Sequence, residues 1–127
     1  MPSPPLIAIV EDDAAMRQAL ADLIEVVGFE ARAFDSGESF LASHAPGRFG
    51  CLITDLNLLG ESGLQLRRRL QALEPSLPVI IISAQANPGA RALALRCGAF
   101  AYLTKPVSDQ VLLQHLNRAL GQATPQA

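Results

Sequence analysis

Short apolar runs alternate five times with stretches whose apolar residues recur at helical spacing, and this alternation leaves few ways to fold the chain. The most restrictive run is VIIIS, Val79–Ser83. A strand apolar on every residue must be covered on both faces, as inside a parallel sheet. The other strand-like runs are Leu6–Val10 (LIAIV), Phe29–Phe34 (FEARAF), Cys51–Asp55 (CLITD) and Ala99–Leu103 (AFAYL). Between them, Met16, Leu20, Leu23, Ile24 and Val27 mark a first helix that Gly28 stops. SGESFLAS offers a serine cap and a short second helix. Leu66, Leu70 and Leu73 line a third, opened near Ser62. A fourth starts at Pro88 and ends at Gly98, and Leu113, Leu116 and Leu120 line the last. Five βα units in a row predict an α/β fold: one parallel sheet with helices on both faces, since right-handed crossovers must cover each side.

The 127 residues suit one domain, predicted over 1–122, with 123–127 as a tail or the start of a linker. Half the residues are apolar, which supports a packed core. The net charge of −2 gives no basic stripe for direct nucleic-acid binding. The apolar runs are too short to span a bilayer, and MPSPP carries no basic segment of a secretory leader, so a cytoplasmic location without membrane contact is expected. Cys51 and Cys97 lack metal-site spacing and are read as buried thiols. His44 and His115 are read as lone surface residues, and Arg67–Arg69 as the solvated face of the third helix.

In open α/β sheets, sites form beyond the carboxyl ends of the strands. Glu11, Asp12 and Asp13 follow the first strand, Asp55 ends the third, Ser83 ends the fourth, and Lys105 follows the fifth. Each alone has a plainer reading: a solvated loop, a turn acid, a cap, a surface lysine. Together, each at a strand's end, they make a site. Several carboxylates at one sheet edge repel by roughly 3 kcal/mol per pair at ~5 Å and an effective dielectric of 20. A hard cation such as Mg²⁺ relieves this, and Lys105 adds a second positive charge. A cation, an ammonium and a hydroxyl around a carboxylate suit phosphoryl transfer.

The segments VEDD, ITDLNLLGESG, IIISAQ and YLTKP, at these spacings over residues 5–120, resemble the receiver domain of two-component response regulators, the CheY-like family. AFDSGESFLA resembles its FixJ-like branch, whose members often carry a helix-turn-helix output domain; the 127 residues hold none. The resemblance implies a flavodoxin-like sheet in the order 2-1-3-4-5. It implies Asp55 as phosphoacceptor, Glu11 and Asp12 with Asp55 as Mg²⁺ ligands, and Asn57 as the residue whose backbone carbonyl completes the metal shell. Ser83 and Lys105 then bind the phosphoryl group, and Ser83 and Tyr102 form a switch in which Tyr102 turns inward. The donor would be a phosphohistidine on a sensor kinase or phosphotransfer protein. The domain would catalyse only its own phosphorylation and dephosphorylation and would not be an enzyme acting on other substrates. The output would be a surface of the fourth helix, fifth strand and fifth helix, used for a partner or a phosphorylation-dependent homodimer. Transcription would be controlled through a separate or missing DNA-binding domain.

Two departures stand out: Glu11 where aspartate is commoner, leaving a metal contact through water open, and Leu59 where a proline is often found. The alternative is a degenerate receiver serving only as an interaction module, which would lack the acid, hydroxyl or lysine. A phosphatase with a second aspartate as acid/base is disfavoured by Asn57 at that place. No phosphate-cradling glycine motif for nucleotides is present.

Overall fold

A computed structural model describes residues 6–58, 60–84 and 87–121. Leu59 and the expected tail at 123–127 lie outside the described residues. The elements run β1 (Leu6–Val10), α1 (Ala14–Val26), β2 (Glu30–Phe34), α2 (Gly37–Ser43), β3 (Cys51–Asp55), α3 (Gly63–Leu73), β4 (Val79–Ser83), α4 (Pro88–Arg96), β5 (Ala101–Thr104) and α5 (Asp109–Ala119). The sheet is parallel, in the order β2-β1-β3-β4-β5.

Alternation along the strands splits the core into two layers. Ile7, Ile9, Ile53, Ile80 and Ile82 point to one face, where α1 brings Leu20 and Ile24 and α5 brings Leu112 and Leu116. Ala8, Val10, Leu52 and Ile81 point to the other, beneath Phe40 of α2, Leu66 and Leu70 of α3 and Ala94 of α4. β3 and β4 are buried along their whole length because both faces are covered. The helix starts are set by side-chain caps at Asp13, Ser36, Ser62, Asn87 and Ser108, and Ser62 forms a capping box with Gln65. Gly28 and Gly98 follow α1 and α4 with φ of 102° and 97°, a conformation that favours glycine.

Several sequence expectations shift. Phe29 and Ala99 belong to helix ends, not strands: the Phe29 N–H donates to Ile24 and the Ala99 N–H to Ala94. β5 therefore starts at Ala101, opposite Ile80. Leu73 is 51% exposed, and the core position beyond Leu70 is filled by Leu77 from the following turn. Leu112 and Leu116 carry the α5 contact, with Leu113 and Leu120 half-buried. His44 is not a surface residue: its ring packs on Phe40, and Nε2 lies 2.8 Å from Glu74 Oε1 at the end of α3. His115 Nδ1 lies 2.9 Å from the Val111 carbonyl one turn back. Arg68 and Arg69 are exposed as expected, while Arg67 is half-buried over Gly98.

Both cysteines are free thiols, but only Cys51 is buried; Cys97 is half-exposed. Burial pushes the Cys51 thiol from 9.0 up to about 12. Its unfolded form loses a proton first as pH rises through that window, so folding stability falls with pH there. Iodoacetamide under native conditions is expected to modify Cys97 and to reach Cys51 only in denaturant. Equal rates, read by peptide mass, would contradict the burial of Cys51.

Candidate phosphoryl-acceptor site

The carboxyl ends of β1, β3 and β4 and the segment after β5 meet at one edge of the sheet. The register places Val10 beside Thr54, Asp55 beside Ile82, and Ser83 beside Thr104. Glu11 follows β1 directly. Its backbone N–H donates to the Phe34 carbonyl at 3.0 Å, and its carbonyl accepts from Arg17 Nη1 at 2.9 Å. Its side chain is thereby held inside, 1% exposed, with Oε2 accepting from the Asp13 N–H at 3.2 Å. Burial is the main reason its carboxyl lies above the usual glutamate range. The Asp13 N–H and Lys105 pull it down, and the nearby Asp55 charge pushes it up further.

Glu11, Asp12 and Asp55 each offer a carboxylate oxygen within 4.8 Å of the other two. Asp13, the third acid of that run, is not part of this group: it caps α1 through the Ala15 N–H at 3.1 Å. Lys105 is brought in by its backbone N–H, which donates to the Ser83 carbonyl at 2.8 Å. Its Nζ reaches Glu11 Oε1 at 3.1 Å and Asp55 Oδ1 at 3.4 Å. Burial alone would lower the ammonium's pKa, but the Glu11 bond and the Asp55 and Glu11 charges outweigh it and hold it above its ordinary value. Lys105 is thus a half-buried bridge between two acids rather than a surface lysine.

The loop after Asp55 is folded back on itself. The Leu56 N–H donates to Ile82 at 2.8 Å, the Gly63 N–H to the Leu56 carbonyl at 2.7 Å, and Asn57 bridges to Ser62. Ser83 is fully buried at the end of β4. Tyr102 of β5 is only 3% exposed and packs in the core layer under α4, so it is already inward here.

Three carboxylates and one ammonium leave the pocket with excess negative charge. Hard oxygen donors in this number fit Mg²⁺, with Glu11, Asp12 and Asp55 as the residues to hold it and Asn57 on the adjoining loop. Sequence order alone brought these groups to one edge. It missed Arg17, four residues after Asp13, as the clamp on the Glu11 carbonyl, and it missed that Glu11 is the lysine's nearer partner.

Comparison with known proteins identifies the family and the fold. The family model for the response regulator receiver domain matches residues 7–117. The transcriptional regulatory protein FixJ of Bradyrhizobium diazoefficiens is 32% identical over 121 residues, covering 95% of this chain and 59% of FixJ. The transcriptional regulatory protein TdiR of Thauera aromatica is 35% identical, covering 88% and 49%. The chain thus spans about half the length of these relatives. A response regulator receiver domain from Clostridium thermocellum superposes with a TM-score of 0.85 at 26% identity, covering 93% of this chain and 95% of that one. Among the described residues no helix is long and apolar enough to cross a membrane.

Proposed function

Since the chain belongs to the receiver-domain family of two-component response regulators, we propose that it takes a phosphoryl group from a phosphohistidine of a kinase or phosphotransfer protein onto Asp55. The observation that carries this reading is the convergence of Glu11, Asp12 and Asp55 within 4.8 Å, with Lys105 bridging Glu11 and Asp55. An Asp55 oxygen attacks phosphorus, the P–N bond breaks, and the imidazole leaves with a proton from solvent. The Lys105 ammonium balances charge on the phosphoryl oxygens, and the Ser83 hydroxyl donates to one of them. Glu11, Asp12, Asp55 and the Asn57 carbonyl would hold Mg²⁺, which would supply charge neutralisation for the incoming oxygens. The acyl phosphate is later hydrolysed, which ends the signal. The same acid, hydroxyl and lysine argue against a degenerate module.

An apolar groove of about 410 Å³, lined by Met16, Leu20, Leu23, Pro106 and Val107, opens beside Lys105. Its place next to the acceptor supports it as the seat of the donor protein. On the far side, Ser83 and Tyr102 link the pocket to α4, β5 and α5, the surface through which we read the output. The names of the relatives as transcriptional regulators support an output in transcription, and a cytoplasmic setting follows from that role. Incubation with Mg²⁺ and a small-molecule phosphodonor is expected to add one base-labile phosphoryl group by intact mass. No gain, or a gain independent of Mg²⁺, would overturn the reading.

The excess negative charge has a consequence for stability. Asp12 is half-exposed, so solvent screens its repulsion with Glu11 and Asp55 to about 1 kcal/mol. Asp12→Asn is expected to raise the melting temperature without Mg²⁺ by roughly 3–6 °C. Added Mg²⁺ should stabilise the wild type and leave the variant nearly unmoved. An Asp12→Asn protein that melts lower, or gains as much from Mg²⁺, would remove Asp12 from the metal site.

A further inference from the structure

Arg17 stands near the start of α1, where the helix dipole disfavours a cation. It is half-buried, and Glu11, Asp12 and Asp13 precede it by six residues or fewer. The ion pairs among the described residues do not include it. Its guanidinium goes to main chain instead: Nη1 donates to the Glu11 carbonyl at 2.9 Å. Glu11 is 1% exposed, so that carbonyl loses a donor that water does not readily replace if the arginine is removed.

We propose that Arg17 is a positioning residue for the metal acids: by holding the Glu11 carbonyl it fixes the turn that carries Glu11 and Asp12, and so sets how tightly the site takes Mg²⁺. The proposal rests on the reading of Glu11, Asp12 and Asp55 as the residues that hold the ion. Arg17 joins both ends of that turn. Its backbone N–H donates to the Asp13 carbonyl at 2.8 Å, and its side chain reaches back to Glu11. Asp13 caps α1 through the Ala15 N–H, and its own N–H donates to Glu11 Oε2. On the sheet side, the Glu11 N–H donates to the Phe34 carbonyl. Asp12 therefore lies between one residue anchored to the helix and one anchored to the sheet, and the Arg17 side chain ties the two anchors together. Without that tie the turn rotates more freely, and the Asp12 carboxylate is no longer kept within 4.8 Å of Glu11 and Asp55.

Removing the arginine has two effects of opposite sign. A guanidinium near a cation site repels the cation, so loss of the charge alone tightens Mg²⁺. Loss of the clamp scatters the ligands, and a ligand set that must first be gathered binds more weakly. The clamp outweighs the charge, because solvent screens a half-buried arginine, while its bond to a buried carbonyl has no ready substitute.

Arg17→Met keeps the stem and removes the guanidinium; Arg17→Lys keeps the charge without the planar fork. Mg²⁺ alone is titrated into the folded wild type and both variants, and the amide shifts of Asp12 and Asp55 are followed. Half-saturation is expected to need about tenfold more Mg²⁺ in Arg17→Met, and less of an increase in Arg17→Lys. Amide exchange should quicken at Glu11, Asp12 and Asp13 and stay unchanged in α3 and α5. With phosphoramidate as donor, the Mg²⁺ needed for half-maximal uptake should rise by the same factor. The rate at saturating Mg²⁺ should return to the wild-type value, because the ion itself then gathers the acids. Should Arg17→Met not fold, Arg17→Lys carries the test, with a rise of about threefold expected. A variant that takes Mg²⁺ as tightly as the wild type, or tighter, would overturn the proposal. So would exchange that quickens over the whole sheet, which marks a merely structural role, or a rate that stays low at saturating Mg²⁺. The two readings fail differently. If the wild type shows no Mg²⁺-dependent shift at Asp12, the metal reading fails and this role of Arg17 with it. If the wild type binds Mg²⁺ there and Arg17→Met binds it equally well, the metal reading stands and the positioning role alone fails.

Discussion

Asp55→Asn is expected to abolish phosphoryl uptake, by at least about a hundredfold, while leaving the fold intact. The amide has the carboxylate's shape but not its nucleophilic charge, and it forms no stable acyl phosphate. The fold is expected to survive because Asp55 is held by strand register and backbone bonds, opposite Ile82, and not by its side chain's ion pair. Its Oδ1 meets Lys105 Nζ at 3.4 Å, longer than the 3.1 Å from that ammonium to Glu11 Oε1. Lys105 therefore keeps a buried partner when Asp55 is neutralised, and one repulsive neighbour of Glu11 disappears. Intact mass after a small-molecule phosphodonor, alongside thermal melting, checks both halves. Uptake by Asp55→Asn at the wild-type rate would move the acceptor elsewhere, with Asp12 the next carboxylate to test.

Lys105 also shows where sequence reading stops. Its position after the last strand was legible, because strand ends in a parallel sheet share one edge. That position made it a candidate charge, and an exposed one. The structure half-buries it between Glu11 and Asp55, so replacing it with methionine would leave a buried carboxylate without its counter-ion and cost more than a surface change. Strand β4 was legible to the residue, since four apolar residues between Pro78 and Ser83 admit little else. The start of β5 was not: Ala99 and Phe100 are as apolar as Tyr102 and Leu103, and only the helix-end bond from the Ala99 N–H to the Ala94 carbonyl sets Ala99 apart. The His44–Glu74 pair joins residues 30 apart in sequence, and no local spacing announces it. Leu73 was misplaced because a helical stripe drifts, and after Leu66 and Leu70 the core contact passes to Leu77 beyond the helix end.

Gly63→Ala is expected to destabilise the domain by about 2–3 kcal/mol and to weaken phosphoryl uptake with it. Helix propensity predicts the opposite sign: Gly63 opens α3, its φ is not in the left-handed region, and alanine is favoured over glycine in a helix by about 1 kcal/mol. Packing decides against propensity. A Cβ at Gly63 would lie 2.5 Å from the Asp55 carbonyl oxygen and 3.2 Å from Thr54 Cγ2. The obstacle is backbone, anchored in the middle of the sheet, so it cannot swing aside. Either Asp55 shifts out of register or the start of α3 lifts, losing the 2.7 Å bond from the Gly63 N–H to the Leu56 carbonyl. That bond closes the loop carrying Asn57, so the carbonyl proposed as a metal ligand moves as well. Gly37→Ala is the control. Its Cβ meets the carboxylate end of Glu61, which can rotate away from its pairing with Arg69 at 3.0 Å, and Leu66 Cδ1 at 3.1 Å, a side chain and not backbone, so a smaller loss is expected. Among the described residues, Gly89→Ala meets only Asn87 Oδ1 at 3.2 Å, on an exposed helix start, and should be nearly neutral. Urea melts of the three variants check the order. A Gly63→Ala protein within roughly 0.5 kcal/mol of wild type, the usual range for surface changes, would mean that α3 is not seated against the end of β3 in this way.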